Sequence, residues 1–80
     1  MSKLPLTKRV QVIVSEQLRI NVNSIVNDSE LSEFGADSLN YVEIIMDLEN
    51  SFGIQISDCD ADRLKTVDAI VKYLIKREVD

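Results

Sequence analysis

No histidine occurs in this chain of 80 residues, which removes the side chain most often used near neutral pH as a general base or metal ligand. A lone cysteine, Cys59, cannot make a disulfide within the chain. It sits between Asp58 and Asp60 and is read as an unreactive free thiol. Tryptophan is absent and there are only two phenylalanines and two tyrosines, so any core must be built from branched aliphatic side chains. One proline and two glycines leave little to interrupt helices. No apolar run approaches the roughly 20 residues that a membrane span requires. Nothing at the N-terminus resembles a signal peptide. The expectation is a soluble, cytoplasmic protein that does not bind membranes.

A chain of 80 residues is expected to form one domain, 1–80, with a core near the lower limit for independent stability. Its net charge is −5, and the distribution says more: residues 28–68 hold 11 acidic side chains against 2 basic ones. Nucleic acid is excluded as a partner, since phosphates call for Lys and Arg. A concentrated acidic region instead steers towards positively charged protein surfaces.

Helical spacing dominates the pattern. Leu6, Val10, Ile13, Val14 and Leu18 recur at helical intervals, with Pro5 suited to the first turn. From Ile20 to Ala36 the chain is rich in Asn, Asp and Ser and reads as a long connection. Val22, Ile25, Val26, Leu31 and Phe34 are expected to pin it to the core. A second helix spans residues 38–52, with Tyr41, Ile44, Ile45, Leu48 and Phe52 as its core stripe and Gly53 ending it in the left-handed conformation. Ser57 and Asp60 suggest a capping box for a brief third helix, Asp58 to Leu64. Thr66 caps a fourth, whose core stripe is Val67, Ile70, Val71, Leu74 and Ile75. The fold predicted is all-α: a four-helix bundle with three longer helices, a short third one, and a long loop between the first two.

Asp58, Asp60 and Asp62 alternate as in the opening of a calcium-binding loop, but such a loop needs Gly at its sixth position and Glu at its twelfth. Arg63 and Ala69 stand there instead, so no metal site is expected.

The stretch Gly35-Ala36-Asp37-Ser38-Leu39 carries the functional reading. Asp37 is a good N-cap for the second helix, Ser38 is its first residue, and Gly35 permits an unusual backbone angle on the way in. The Ser38 hydroxyl is therefore expected to be exposed. No Lys or Cys lies near it in sequence to activate it, which favours a serine modified by another enzyme over a catalytic one. Leu39, Val42 and Met46 gather on a side of the helix away from the core stripe, bordered by Glu43 and Asp47 on one flank and Glu49 on the other. An apolar patch rimmed by carboxylates suits docking to basic partners; packing on another helix is the plainer alternative.

These residues resemble an acyl carrier protein. The family's G-A-D-S-L motif is matched at 35–39, and the likeness continues through Val42, Glu43, Ile44, Ile45, Met46, Leu48, Glu49, Phe52, Ile56, Asp58, Ala61, Leu64, Thr66, Val67, Ile70 and Tyr73. Arg9-Val10 and Glu16-Gln17-Leu18 fit its first helix. Asn40, Tyr41 and Ser57 depart from the Asp, Thr and Pro of many bacterial members. The resemblance implies a non-enzymatic carrier with 4'-phosphopantetheine on Ser38. It further implies acyl thioesters as cargo, in fatty acid or related lipid biosynthesis, and docking through Asp37, Leu39, Val42, Glu43, Met46, Asp47 and Glu49. The implied partners are a phosphopantetheinyl transferase and acyl-transferring and chain-elongating enzymes with basic surfaces, met by a monomer. A fatty acyl chain is expected to slip between the second and third helices past Ile44, Leu48, Ile56 and Leu64. A discrete aminoacyl or peptidyl carrier, or an acidic adaptor that is never modified, remain as alternatives.

Overall fold

A computed structural model describes residues 5–77. Among the described residues four α-helices run in order: α1 (Leu6–Leu18), α2 (Ser38–Phe52), α3 (Asp58–Ala61) and α4 (Val67–Lys76). The packing scaffold is α1, which lies against both α2 and α4. Val10 and Val14 of α1, Ile44 and Leu48 of α2, and Val67, Ile70 and Leu74 of α4 are essentially inaccessible to solvent. The helical spacing read for Leu6, Val10, Ile13, Val14 and Leu18 is that of α1. Arg9 stacks on the Phe52 ring at 4.4 Å and covers the far end of α2.

The connection between α1 and α2 is more regular than its composition suggests. It contains two 3-10 turns, Val22–Ser24 and Leu31–Phe34. Ile25 and Leu31 reach the core, and Phe34 packs against it. Val26, expected to do the same, is 52% exposed. Its carbonyl closes a tight turn by accepting from the Ser29 N–H at 3.1 Å, and the side chain is left outside. Backbone ties replace it as the fastening: Asp68 N–H donates to the Asn27 carbonyl at 3.0 Å, and Leu31 N–H to the Lys65 carbonyl at 2.8 Å. The Gln11 amide also donates to the Asn27 side chain at 2.7 Å.

Two expectations at the other end need correcting. The third helix stops at Ala61, not Leu64, because the chain tightens there: Arg63 N–H bonds back to Asp60 and Leu64 N–H to Ala61, three residues each. Leu64 still enters the core, carried by the turn. Ser57 does cap this helix by accepting from the Asp60 N–H at 3.1 Å, but Asp60 does not complete a box, since its carboxylate accepts from Tyr73 Oη at 2.9 Å. On α4, Ile75 is 59% exposed. At about 100° per residue it stands some 80° round from Val67 and further from Ile70, off the side that meets α1. Gly53 takes the left-handed conformation at the end of α2, φ 66°, as expected.

Candidate functional site: the head of α2

The approach to α2 is built by local hydrogen bonds. Gly35 ends the second 3-10 turn with φ 94°, where a side chain would be strained, and its N–H donates to the Ser32 carbonyl at 3.1 Å. Asp37 then adopts extended backbone and caps the helix, Oδ1 accepting from the Asn40 N–H at 2.9 Å. Asn40 returns the bond, its Oδ1 accepting from the Asp37 N–H at 3.1 Å. The residue that departs from the family pattern thereby completes a capping box. The spacing D-x-x-N carried that signal, although Glu or Gln is the usual fourth member. Ser38 follows as the exposed first residue of the helix, at the positive end of its dipole.

Beside Ser38 a groove of about 440 Å³ opens between α2 and α3. Ile45, Ile56 and Ala61 give it apolar lining, and Tyr41 and Lys65 line it together with Ser38. Ile44, Leu48 and Leu64, expected to line a path for cargo, are buried in the core and are not part of this lining. Lys65 lies far from Ser38 in sequence, yet its Nζ rests 4.9 Å from the centroid of the Tyr41 ring. The Tyr41 phenol is pushed above its usual value, first by burial and then by the Glu30 charge, with a backbone hydrogen bond at Ser32 pulling the other way. Neither residue was singled out from sequence as part of the site. A contact between positions 41 and 65 leaves no periodic trace.

The apolar patch is where the helical projection put it. Leu39, Val42 and Met46 are 65%, 54% and 53% exposed. Val42 and Met46 also line the groove, so patch and groove are contiguous. The three bordering carboxylates differ in how they are employed. Glu43 is exposed. Asp47 Oδ2 accepts from the Gln17 amide at 2.6 Å, joining α2 to α1. Glu49 Oε2 accepts from the Ile56 N–H at 2.8 Å and holds the connector to α3 against the helix. Asp58 and Asp62, considered above for calcium, stand at the groove instead. Among the described residues no cluster of three or more potential metal ligands occurs, and no helix is long and apolar enough to cross a membrane.

Residues 8–74 match the family described as phosphopantetheine attachment site. The chain belongs to the acyl carrier protein family. It is 37% identical over 78 residues to the acyl carrier protein of Chlorobium phaeobacteroides, a match covering 96% of this chain and 100% of the relative. With that of Cyanidium caldarium the identity is 42% over 77 residues, covering 95% and 90%. Among solved structures, the acyl carrier protein from Enterococcus faecalis superposes with a TM-score of 0.75 at 30% identity, covering 89% of this chain and 91% of that one. A free-standing peptidyl carrier protein from Acinetobacter baumannii gives 0.79 at 20% identity, with 89% of each chain covered, a likeness of fold alone. The carrier's prosthetic group is therefore covalent 4'-phosphopantetheine, and its classes of partner are a phosphopantetheinyl transferase and acyl-handling enzymes. The residues present fit such a group: an exposed hydroxyl, a helix N-terminus that favours a phosphodiester, and an apolar-walled groove alongside.

Proposed function

We propose that Ser38 is the attachment residue, and that the arm there carries acyl intermediates of fatty acid or related lipid biosynthesis. The observation that supports this most is the position of the Ser38 hydroxyl, exposed at the first turn of α2 and on the lip of the groove. When bound, the group supplies a thiol on a long flexible arm, able to hold an acyl chain as a thioester. The chain's own residues do the rest. Asp37 and Asn40 fix the first turn so that Ser38 is presented the same way to each enzyme. Leu39, Val42 and Met46 form the apolar centre of the docking face, with Asp37 and Glu43 giving it charge. Asp47 and Glu49 add negative potential from positions partly committed to internal bonds. Docking through this face turns each transfer into a local event at high effective concentration.

In this reading the carrier, spanning 1–80, is a cytoplasmic monomer and a substrate of its enzymes, not a catalyst. The absence of histidine supports that view, since the base that takes the Ser38 proton then comes from the transferase. The test is incubation with coenzyme A, magnesium and a phosphopantetheinyl transferase, read by intact mass. One arm is expected on the wild type and none on Ser38→Ala, with unchanged helical content. Refusal of the wild type by several transferases, or modification of the Ala variant, refutes the assignment. A melting series on loaded protein then tests the cargo. Each methylene that enters the groove contributes about 0.8 kcal/mol before the cost of ordering the chain. Stability is expected to rise with acyl length until the groove is full, and not with an aminoacyl load, whose ammonium loses hydration on entry.

A further inference from the structure

We propose that Lys65 is a binding residue for the arm's phosphodiester, and that the Tyr41 ring is where its ammonium rests before the arm is attached. The inference depends on Ser38 carrying the arm. Among the described residues that line the groove Lys65 is the one cation, in a lining that also holds Glu49, Asp58 and Asp62. A phosphodiester placed beside those carboxylates brings further negative charge to an already acidic edge, and a nearby cation offsets it. Tyr41 links this cation to Ser38. It follows Ser38 by three residues, so the two side chains are neighbours on one face of α2, about 5–6 Å apart at Cβ. The Lys65 ammonium lies over that ring at 4.9 Å. Ser38 and Lys65 line the same groove, with Tyr41 as their shared neighbour.

The arrangement also lets the cation move. The Lys65 carbonyl is fixed by the Leu31 N–H at 2.8 Å, so the backbone stays while the four-carbon stem pivots. Lys65 is exposed, and a cation held on a ring at an exposed site is held weakly compared with a charge-assisted bond to a phosphate oxygen. Attachment of the arm therefore draws the ammonium from the ring to the phosphodiester. That tethers the first atoms of the arm at the groove edge and clears the face of Tyr41.

The experiment compares the apo and holo protein by NMR, after intact mass has established one arm on the wild type and none on Ser38→Ala. In the apo form the Lys65 ε-methylene protons carry an upfield ring-current shift from Tyr41, which Tyr41→Thr abolishes. In the holo form that shift is expected to be largely lost, and to return in 1 M salt, where screening acts over about 3 Å. The ε-methylenes of Lys72 and Lys76 serve as unmoved references. In holo Lys65→Gln the phosphorus resonance is expected to move towards that of free phosphopantetheine, with Lys65→Arg staying near the wild type and all variants equally helical. A singly modified wild type whose Lys65 shift is the same with and without the arm overturns the proposal, as does a phosphorus resonance indifferent to Lys65→Gln. If mass shows no arm on Ser38, the attachment reading fails and this proposal falls with it.

Discussion

Helices α2 and α4 are both amphipathic and both capped by a side chain at the N-terminus, yet they dispose of their apolar residues differently. α4 places Val67, Ile70 and Leu74 fully inside and leaves one large apolar side chain, Ile75, exposed. α2 buries Ile44 and Leu48 and leaves three exposed, Leu39, Val42 and Met46. Those three recur at intervals of three and four residues, so they form a second stripe and not a scatter. A helix serving only the core gains nothing by holding such a stripe in water, and contiguous exposed apolar surface marks a contact for something else. On α4 the apolar residues serve the core almost entirely, whereas α2 holds a second, exposed stripe where the docking face proposed above would lie.

The largest effect that separates the two sides is core truncation. Leu48→Ala on α2 and Ile70→Ala on α4 should each cost about 2–5 kcal/mol, since both are fully buried and leave a cavity. For a domain of this size each kcal/mol is about 4–8 °C in Tm. Met46→Ala and Ile75→Ala, at exposed positions, should stay within about 0.5 kcal/mol. Thermal melts of the four variants check this. If Met46→Ala is as damaging as Leu48→Ala, the outer stripe of α2 is structural and the contrast collapses.

Next come the caps, where the two helices are matched. Asp37 accepts from the Asn40 N–H at 2.9 Å and Thr66 from the Ala69 N–H at 3.0 Å. Replacing either by Ala should cost about 1 kcal/mol. Asn40→Ala removes only the return half of the α2 box and should cost less than Asp37→Ala. The comparison sharpens if Asp37→Ala also slows modification of Ser38 while Thr66→Ala leaves it alone. Equal slowing by both would mean that the head of α2 has no special part in presentation.

Much of this was legible in the sequence because it is periodic or local. The two stripes of α2 follow from spacing alone, and Asp37, Gly35, Gly53 and Thr66 each act through bonds or backbone angles within a few residues. The misreadings have a different origin. Val26 and Ile75 are apolar and plausibly spaced, but whether such a residue is buried depends on which side a neighbour covers, and that is a tertiary fact. The groove edge was missed for the same reason. Lys65 meets Tyr41 through the fold, and Asp47 and Glu49 look like surface carboxylates until Gln17 and the Ile56 N–H are brought against them.

A smaller effect concerns charge. Glu43 on α2 and Lys72 on α4 are both exposed, and exposed charges contribute about 0.2–1 kcal/mol per pair. Glu43→Lys should weaken binding to a basic acyl-handling enzyme, mostly by slowing association, and reduce its salt dependence. Lys72→Glu should do neither. Calorimetry and stopped-flow association at low and physiological salt measure both. Loss of binding on changing Lys72 with none on changing Glu43 would move the docking face to α4.

The smallest difference expected lies in the two tyrosines, one on each helix. Tyr41 and Tyr73 both have pKa values raised above 10.0, in each case chiefly because burial disfavours the phenolate. For Tyr41 the Glu30 charge adds to this; for Tyr73 the bond it donates to Asp60 does so, against the Arg77 charge. A raised value means that the folded state holds its proton to higher pH than the unfolded chain does. The stability this contributes is therefore complete below pH 10 and is lost as pH rises through the folded value. Denaturant unfolding from pH 8 to 11.5 should show a plateau and then a decline. Tyr41→Phe keeps the ring under Lys65 and should lessen the decline at little cost below pH 10. Tyr73→Phe should lessen it too, but it strips Asp60 of its donor and so should lower the plateau as well. Equal plateaus for both variants would mean that the Tyr73–Asp60 bond contributes nothing to α4, and a decline unchanged in both would place its source outside the tyrosines.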